Sequence, residues 1–358
     1  MAGDLPAAAG DRMNDLGTIE IERAPVSTGL ADELAVFWET IFRTSFEETR
    51  EVLGNGIEVG RNRDTVWCLR QDLSPATLEL SGLVSTCQLT VPVEQEELGG
   101  LGGVATAEDC RRQGLGERLC REARDLFREG GGEALFLGTV NPAAARVYTR
   151  LGWQRLAGST VYANITGDFS PEEFLVDWFR GATGPVTVSP GTAHARIPMI
   201  PLLLTPHSEQ VLDANVNLVS TRYARQDSCM GLYPRYAELA AAGGAWFGGW
   251  SENNRLVGLA SARPLVSVSA EPEWTAQIDA CVNRVARVAW RELIDAALAW
   301  STEAGASEAL VVTSVEDESK RIQFEAIGFH SDGAGDEIDI GGRYVGTIRL
   351  KRNLGVRA

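Results

Sequence analysis

The sequence predicts an α/β protein built from two consecutive domains, and three observations lead there. The chain has 358 residues, which at about 150 residues per domain gives two as the starting expectation. A run that reads as strand, glycine turn, helix, strand and short helix closes at Leu151-Gly152-Trp153. A second run of the same kind closes at Ile327-Gly328-Phe329, about 175 residues later.

The first run is justified element by element. Residues 1–16 are rich in Ala, Gly and Asp and read as a disordered leader, with Met13 as an alternative start. Val104-Ala105-Thr106 is a short β-prone run after Gly102 and Gly103. Gly114 and Gly116 then allow a backbone turn that aims several N–H groups at one point at the start of a helix, an arrangement suited to phosphate. Leu115, Leu119, Cys120, Ala123, Leu126 and Phe127 fall at helical spacing, and Gly130-Gly131-Gly132 ends that helix. Its dipole points at whatever the turn holds. Ala134-Leu135-Phe136-Leu137 reads as a buried strand. Asn141 reads as an N-cap with Pro142 at the first helical position, Val147, Tyr148 and Leu151 share a face, and Gly152 closes the helix.

The ordered set Arg111-x-x-Gly114-x-Gly116, Asn141-x-x-Ala144-x-x-x-Tyr148 and Gly152-Trp153 resembles the GNAT superfamily of N-acyltransferases over roughly residues 18–166. Arg-x-x-Gly-x-Gly alone is weak; followed by the tyrosine motif between a strand and Gly-Trp, it becomes specific. The resemblance implies two tandem GNAT-like domains, each a mixed, mostly antiparallel sheet flanked by helices, and acetyl-CoA or another acyl-CoA as co-substrate. It implies that Arg111, Arg112, Gln113, Gly114, Leu115, Gly116 and Glu117 wrap the pyrophosphate with main-chain amides. Val104, Ala105 and Thr106 would pair with the pantetheine arm, one of their amides steadying the thioester oxygen as charge develops. Asn141 and Ala144 would contact the cofactor arm, and Tyr148 would lie near the sulfur.

Composition narrows the alternatives. Lys and Arg number 33 against 49 Asp and Glu, a net charge of −16, which argues against a nucleic-acid surface. Residues 111–128 run against that trend with six arginines and three acids. The first of these suit an anionic cofactor, and the later ones read as a solvated helix face with pairs such as Glu117 with Arg121. The acidic remainder suits a cationic acceptor, although acidic surfaces also serve solubility alone. No apolar run reaches the roughly 18 residues of a membrane helix, and the N-terminus lacks a signal-peptide pattern, so a cytoplasmic protein is expected. Six cysteines show no C-x-x-C pair and His194, His207 and His330 are scattered, so no metal site is expected and the thiols read as reduced packing residues. Cys110 and Cys120 flank the glycine turn and are the two open to activation by a positive surrounding.

Residues 167–196 turn to Gly, Pro, Thr and Ser and read as a linker between a catalytic domain at 17–166 and a second domain at 197–358. In that second domain Leu256–Ala262 reads as a central strand, 285–304 as a long helix and Ala309–Thr313 as a buried strand. The repeat departs from the first run where chemistry is concerned. No glycine occurs between Asn283 and Ala304, Val288 and Trp290 stand near the lost glycines, Phe324 stands for Tyr148 and Asp317 for Asn141. The expectation is a degenerate domain without cofactor or catalysis that caps the cleft, adds substrate contacts or extends a dimer surface. Trp246, Trp250, Trp274 and Trp290 are candidates for a pocket lining, against the commoner role of core packing.

The implied reaction is direct transfer of an acetyl or other short acyl group to a primary amine of a small molecule in a ternary complex, by a monomer or homodimer. Tyr148 would be the general acid for the departing thiolate, against the alternative of a tyrosine that anchors its helix. Glu39, Glu47, Glu94, Glu96 and Glu97 are candidate bases acting through a water, and the sequence does not choose among them. Two other readings stand beside this one: an acyl-CoA sensor without turnover, and acyl-CoA chemistry on a hydroxyl, a carrier-protein thiol or a malonyl thioester. A dinucleotide-binding dehydrogenase is a poor fit, because Gly114-x-Gly116 continues to Leu119 where a third glycine is required, and follows an arginine pair.

Overall fold

The computed structural model describes residues 17–71, 82–265 and 274–355; the expected leader at 1–16 lies outside them. Two seven-stranded, mostly antiparallel sheets flanked by helices carry the fold, which is the expected class. Contacts group the residues up to 90 with 101–130 as one unit, and 91–100 with the residues from 131 onward as another.

The first unit runs β1 (Thr18–Arg23), α1 (Thr28–Phe42), α2 (Glu47–Thr49) continued by a π turn over Arg50–Gly54, β2 (Asn62–Arg70), β3 (Leu83–Pro92), β4 (Leu98–Thr106) and α3 (Leu115–Glu129). The last residues of β3 and the first of β4 belong to the second unit. Ser27 caps α1 by accepting from the Leu30 N–H at 3.3 Å, and Arg43 ends it in the left-handed region. Leu34, Phe37 and Trp38 of α1 pack with Val66, Leu83 and Ala105 of the sheet. Strand β4 is longer than the sequence reading of 104–106, because buried neighbours extend it back through Gly99, Gly100, Gly102 and Gly103. In α3 the predicted face is buried except for Leu126, 39% exposed at the rim of the stripe.

The second unit continues with β5 (Ala134–Gly138), α4 (Pro142–Arg150), β6 (Gln154–Arg155), β7 (Val161–Ile165), α5 (Pro171–Arg180), β8 (Thr187–Pro190), α6 (Met199–Leu204), β9 (Val211–Asp213), β10 (Leu218–Val219) and α7 (Leu232–Ala241). It then runs β11 (Ala245–Trp250), β12 (Leu256–Leu265), β13 (Thr275–Val282), α8 (Ala289–Glu303), β14 (Glu308–Ser314), α9 (Glu318–Ala326), β15 (His330–Ile340) and β16 (Arg343–Asn353). Residues 167–196, read from sequence as a linker, hold α5 and β8. A capping box of Ser170 and Glu173 starts α5, its Phe174, Leu175, Trp178 and Phe179 are buried, and β8 pairs with β11. A large core joins Phe136, Trp178, Ile200, Leu203 and Trp246, and a second gathers Ile278, Leu293, Val311, Phe324 and Leu350.

The suspected repeat appears in strand order. The second sheet runs β8, β11, β12, β13, β14, β16, β15, and the first follows the same scheme as β1, β2, β3, β4, β5, β7, β6. Each contains a parallel pair at the corresponding place, Leu98–Gly100 with Ala134–Phe136 and Thr275–Gln277 with Glu308–Leu310. Helices α3 and α8 are both 15 residues long, and α4 and α9 both nine.

In the second sheet the chain itself fills the wedge where β13 and β14 part. Ala214 donates its N–H to Asp279 Oδ2 on β13 at 2.8 Å, and Asn215 Nδ2 donates to the Gln277 carbonyl at 3.1 Å. On the other side Ser314 Oγ donates to Gln210 Oε1 at 2.8 Å, and the Asp317 carboxylate accepts the N–H groups of Gln210 at 2.6 Å and Val211 at 3.0 Å. Lys320 Nζ donates to the Val211 carbonyl at 2.9 Å and sits 2.5 Å from Asp279 Oδ1, with both side chains at most 2% exposed. Burial pushes the Asp279 carboxyl up to about 7, against the pull of Lys320. Replacing Lys320 by Met strands a buried carboxylate and frees the carbonyls of Val211 and Leu212, so Lys320→Met is expected to destabilise this unit by roughly 3–5 kcal/mol in urea unfolding; a loss below about 1 kcal/mol would show that the pair does not hold the segment.

Candidate active site

The end of β4 is held by side chains of neighbouring elements rather than by its own. Trp38 Nε1 donates to Thr86 Oγ1 at 2.8 Å and to the Gly103 carbonyl at 3.1 Å, and Thr86 Oγ1 donates to the same carbonyl at 2.7 Å. Ser85 Oγ lies 2.9 Å from both the Ala105 carbonyl and Thr106 Oγ1. Gly103 has φ +56°, and a Cβ there would stand 2.5 Å from Trp38 Cζ2, so only glycine fits. Sequence reasoning missed Trp38, Ser85 and Thr86, which lie on other elements with no motif to mark them.

After Thr106 a 3-10 turn at Glu108–Cys110 leads into 111–114. Arg111 Nε donates to the Thr106 carbonyl at 3.2 Å and draws the loop back toward the strand end. Arg112 at φ +65° and Gly114 at φ +81° take left-handed backbone, and Gly114 becomes the N-cap of α3 without a side-chain cap. The first intrahelical bond runs from the Arg118 N–H to the Gly114 carbonyl at 2.9 Å, so the amides of Leu115, Gly116 and Glu117 have no helix acceptor. A Cβ on Gly116 would meet Thr106 Oγ1 at 3.2 Å, and one on Gly114 would meet nothing within 4 Å. Arg111, Arg112, Gln113 and Gly114 are exposed, Val104, Thr106, Gly116 and Glu117 are half-buried, and Ala105 and Leu115 are buried. The first unit thus brings Val104 through Glu117 into one strand end, one turn and one uncapped helix start. Such a geometry can donate backbone N–H hydrogen bonds to a bound oxyanion and adds the positive end of a helix dipole. The later arginines pair along the helix as expected, Arg121 with Glu117 and Arg118 with Glu122, each at 3.2 Å.

Asn141, Ala144 and Tyr148 share α4 in the second unit. Asn141 Oδ1 accepts the Ala143 N–H at 2.9 Å, so its acceptor is spent on capping and the Nδ2 donors are what it offers a ligand. The Tyr148 ring is 6% exposed and stands 6.1 Å from the Trp153 ring, while its carbonyl accepts the N–H groups of Leu151 and Trp153 at 3.0 Å. Trp153 Nε1 in turn donates to the Leu135 carbonyl at 3.1 Å, tying the helix end to β5.

The corresponding positions of the second sheet differ in kind. The N-cap of α8 is Val288 in right-handed conformation and 81% exposed, and Trp290 packs edge-on against Phe324 at 4.9 Å. Of the four tryptophans considered for a pocket, Trp290 lines a cavity, whereas Trp246 packs on Tyr236, Trp250 on His194 and Trp274 on Trp300. Glu47, Glu94, Glu96 and Glu97 are exposed, Glu39 accepts the Phe46 N–H at 3.1 Å, and Glu94 stands 3.8 Å from His194 Nε2. Buried Glu58 and Asp64, which the sequence did not single out, serve Asn62 and the pair Gln88 and Thr90. All six cysteines are free and buried, and burial raises the Cys110 thiol, which corrects its candidacy for an activated thiolate. Among the described residues there is no cluster of three metal-ligating side chains, and no helix is long and apolar enough to cross a membrane. Gly103→Ala should cost about 1–3 kcal/mol in denaturant unfolding through its left-handed backbone and the Trp38 ring; unchanged stability would mean that β4 yields freely.

A model of the acetyltransferase (GNAT) family matches residues 35–153, and no curated protein matches the chain. Among solved structures, the chain is similar to an N-acetyltransferase from Staphylococcus aureus at 18% identity, covering 48% of this chain and 99% of that one with a TM-score of 0.38. It is similar to a phosphinothricin acetyltransferase from Sinorhizobium meliloti in complex with AcCoA at 15% identity, 48% and 90% coverage and a TM-score of 0.38. A spermidine/spermine N-acetyltransferase from Vibrio cholerae follows at 16%, 48% and 95%, with a TM-score of 0.36. Residues 35–153 carry the match to the acetyltransferase (GNAT) family.

Proposed function

We propose that the chain transfers an acetyl or other short acyl group from acyl-CoA to a primary amine of a small molecule, with both substrates bound together. The observation that carries this reading is the uncapped start of α3 at Gly114, φ +81°, preceded by a left-handed Arg112 and open to solvent. In this reading the amides of Leu115, Gly116 and Glu117 and the side chains of Arg111, Arg112 and Gln113 take the pyrophosphate. Backbone groups of Val104, Ala105 and Thr106 take the pantetheine arm, and Asn141 Nδ2 and the Ala144 segment contact it farther along.

The neutral amine attacks the thioester carbonyl carbon, forming the C–N bond while an N–H of β4 holds the developing oxyanion. The nitrogen gives up its proton to a carboxylate through a water. Collapse breaks the C–S bond, and the thiolate takes the phenolic proton of Tyr148, which solvent later restores. A buried tyrosine suits the role, since exclusion of water favours transfer to the sulfur over loss to bulk. The catalytic domain spans 17–166 in this reading, and 197–358 is a GNAT-like domain that binds no cofactor, its wedge closed by residues 210–215 and its helix start lacking glycine. Long-range attraction from a chain of net charge −16 suits a cationic acceptor.

Two substitutions separate the parts. Tyr148→Phe should lower kcat by about 10²-fold or more with little change in CoA binding; an unchanged kcat removes Tyr148 from the chemistry. Gly114→Trp should abolish both binding and transfer by filling the turn. Retained transfer in that variant would move the donor site elsewhere, and CoA binding without turnover on a broad amine panel would mark a binding protein instead.

A further inference from the structure

The second unit holds a cavity of about 690 Å³, within the roughly 300–1,000 Å³ range of small-molecule sites. Phe179, Val282 and Trp290 give it apolar walls. Val176 and Val285 also line it and stand 48% and 52% exposed, which leaves apolar surface open to an occupant. Its floor is closed by Val211 and Lys320, members of the segment and pair that fill the wedge between β13 and β14.

The charge of this cavity runs against the rest of the molecule. Arg180, Arg222, Arg284 and Arg287 line it against Glu172 and Glu209, in a chain of net charge −16. Arg180 is paired with Asp177 at 2.7 Å, and the Arg222 guanidinium stands 5.5 Å over the Tyr223 ring. Arg284 and Arg287 are exposed, and among the described residues neither has a carboxylate partner. The Lys320 ammonium is committed to Asp279 and adds no free charge. Two guanidiniums without counter-ions beside a tryptophan and apolar walls fit an organic molecule with one anionic end and one flat or aliphatic end.

We propose that this cavity is a second, non-catalytic site for a small organic anion, a carboxylate or phosphate monoester with an apolar body. It does not accept an extended thioester arm, because residues 210–215 occupy the wedge behind it. The proposal stands independently of the acyl-transfer reading.

The test is a fluorescence titration of the full chain with 8-anilinonaphthalene-1-sulfonate, an aromatic anion of the right size. One saturable component is expected, weakened about tenfold or more in R284Q/R287Q and retained in G114W. Both arginines are exposed, so an unchanged melting curve checks that the double variant folds. Phenyl phosphate or benzoate should displace the dye and benzyl alcohol should not, and the stronger of the two anions identifies the headgroup. Absence of a saturable component, equal affinity in R284Q/R287Q, loss in G114W, or equal displacement by benzyl alcohol would each overturn the proposal.

Discussion

Backbone groups at the end of a central strand and the start of the following helix must be bonded to something, and the two halves of this chain meet that constraint differently. In the first half, α3 begins at a left-handed glycine with no side-chain cap, where the proposed cofactor phosphate would sit. In the second half, residues 210–215 bond to both strands that flank the wedge. Asp317, at the position equivalent to Asn141, accepts two backbone amides of the segment 210–211. Lys320 and Asp279 then anchor the same segment between the strands. One topology thus carries a glycine turn at the helix start in one half and a wedge filled by its own chain in the other.

Much of this was legible in the sequence because the signals are local. Asn141 and Pro142 start α4 as their types require, Gly152 closes it, and the spacing of Leu115, Leu119, Cys120 and Ala123 gives the buried face of α3. The substitution of glycine by Val288 and Trp290 foretold a helix start without a phosphate turn. What was hidden depends on partners far along the chain. The glycines of 99–103 have low strand propensity, and packing against Trp38 and neighbouring strands overrides it. The composition of 167–196 reads as a linker, yet Phe174, Trp178 and a capping box make it α5. Nothing in Gln210–Asn215 announces that it bridges two strands about 65–105 residues away.

The proposed function implies a division of labour along one chain. Trp38, Thr86 and Ser85 hydrogen-bond around the backbone of β4, where the proposed transfer needs its donors to a thioester preorganised. The second domain has lost the turn but kept the sheet, and the space outside its sealed wedge is lined by arginines rather than by glycine amides.

Hydrogen exchange of the full chain with and without acetyl-CoA tests this contrast most directly, since it reads the backbone amides themselves. The account predicts slowed exchange at 104–106 and 113–118 and no change across 280–292. Protection across 280–292, or none at 113–118, would contradict it.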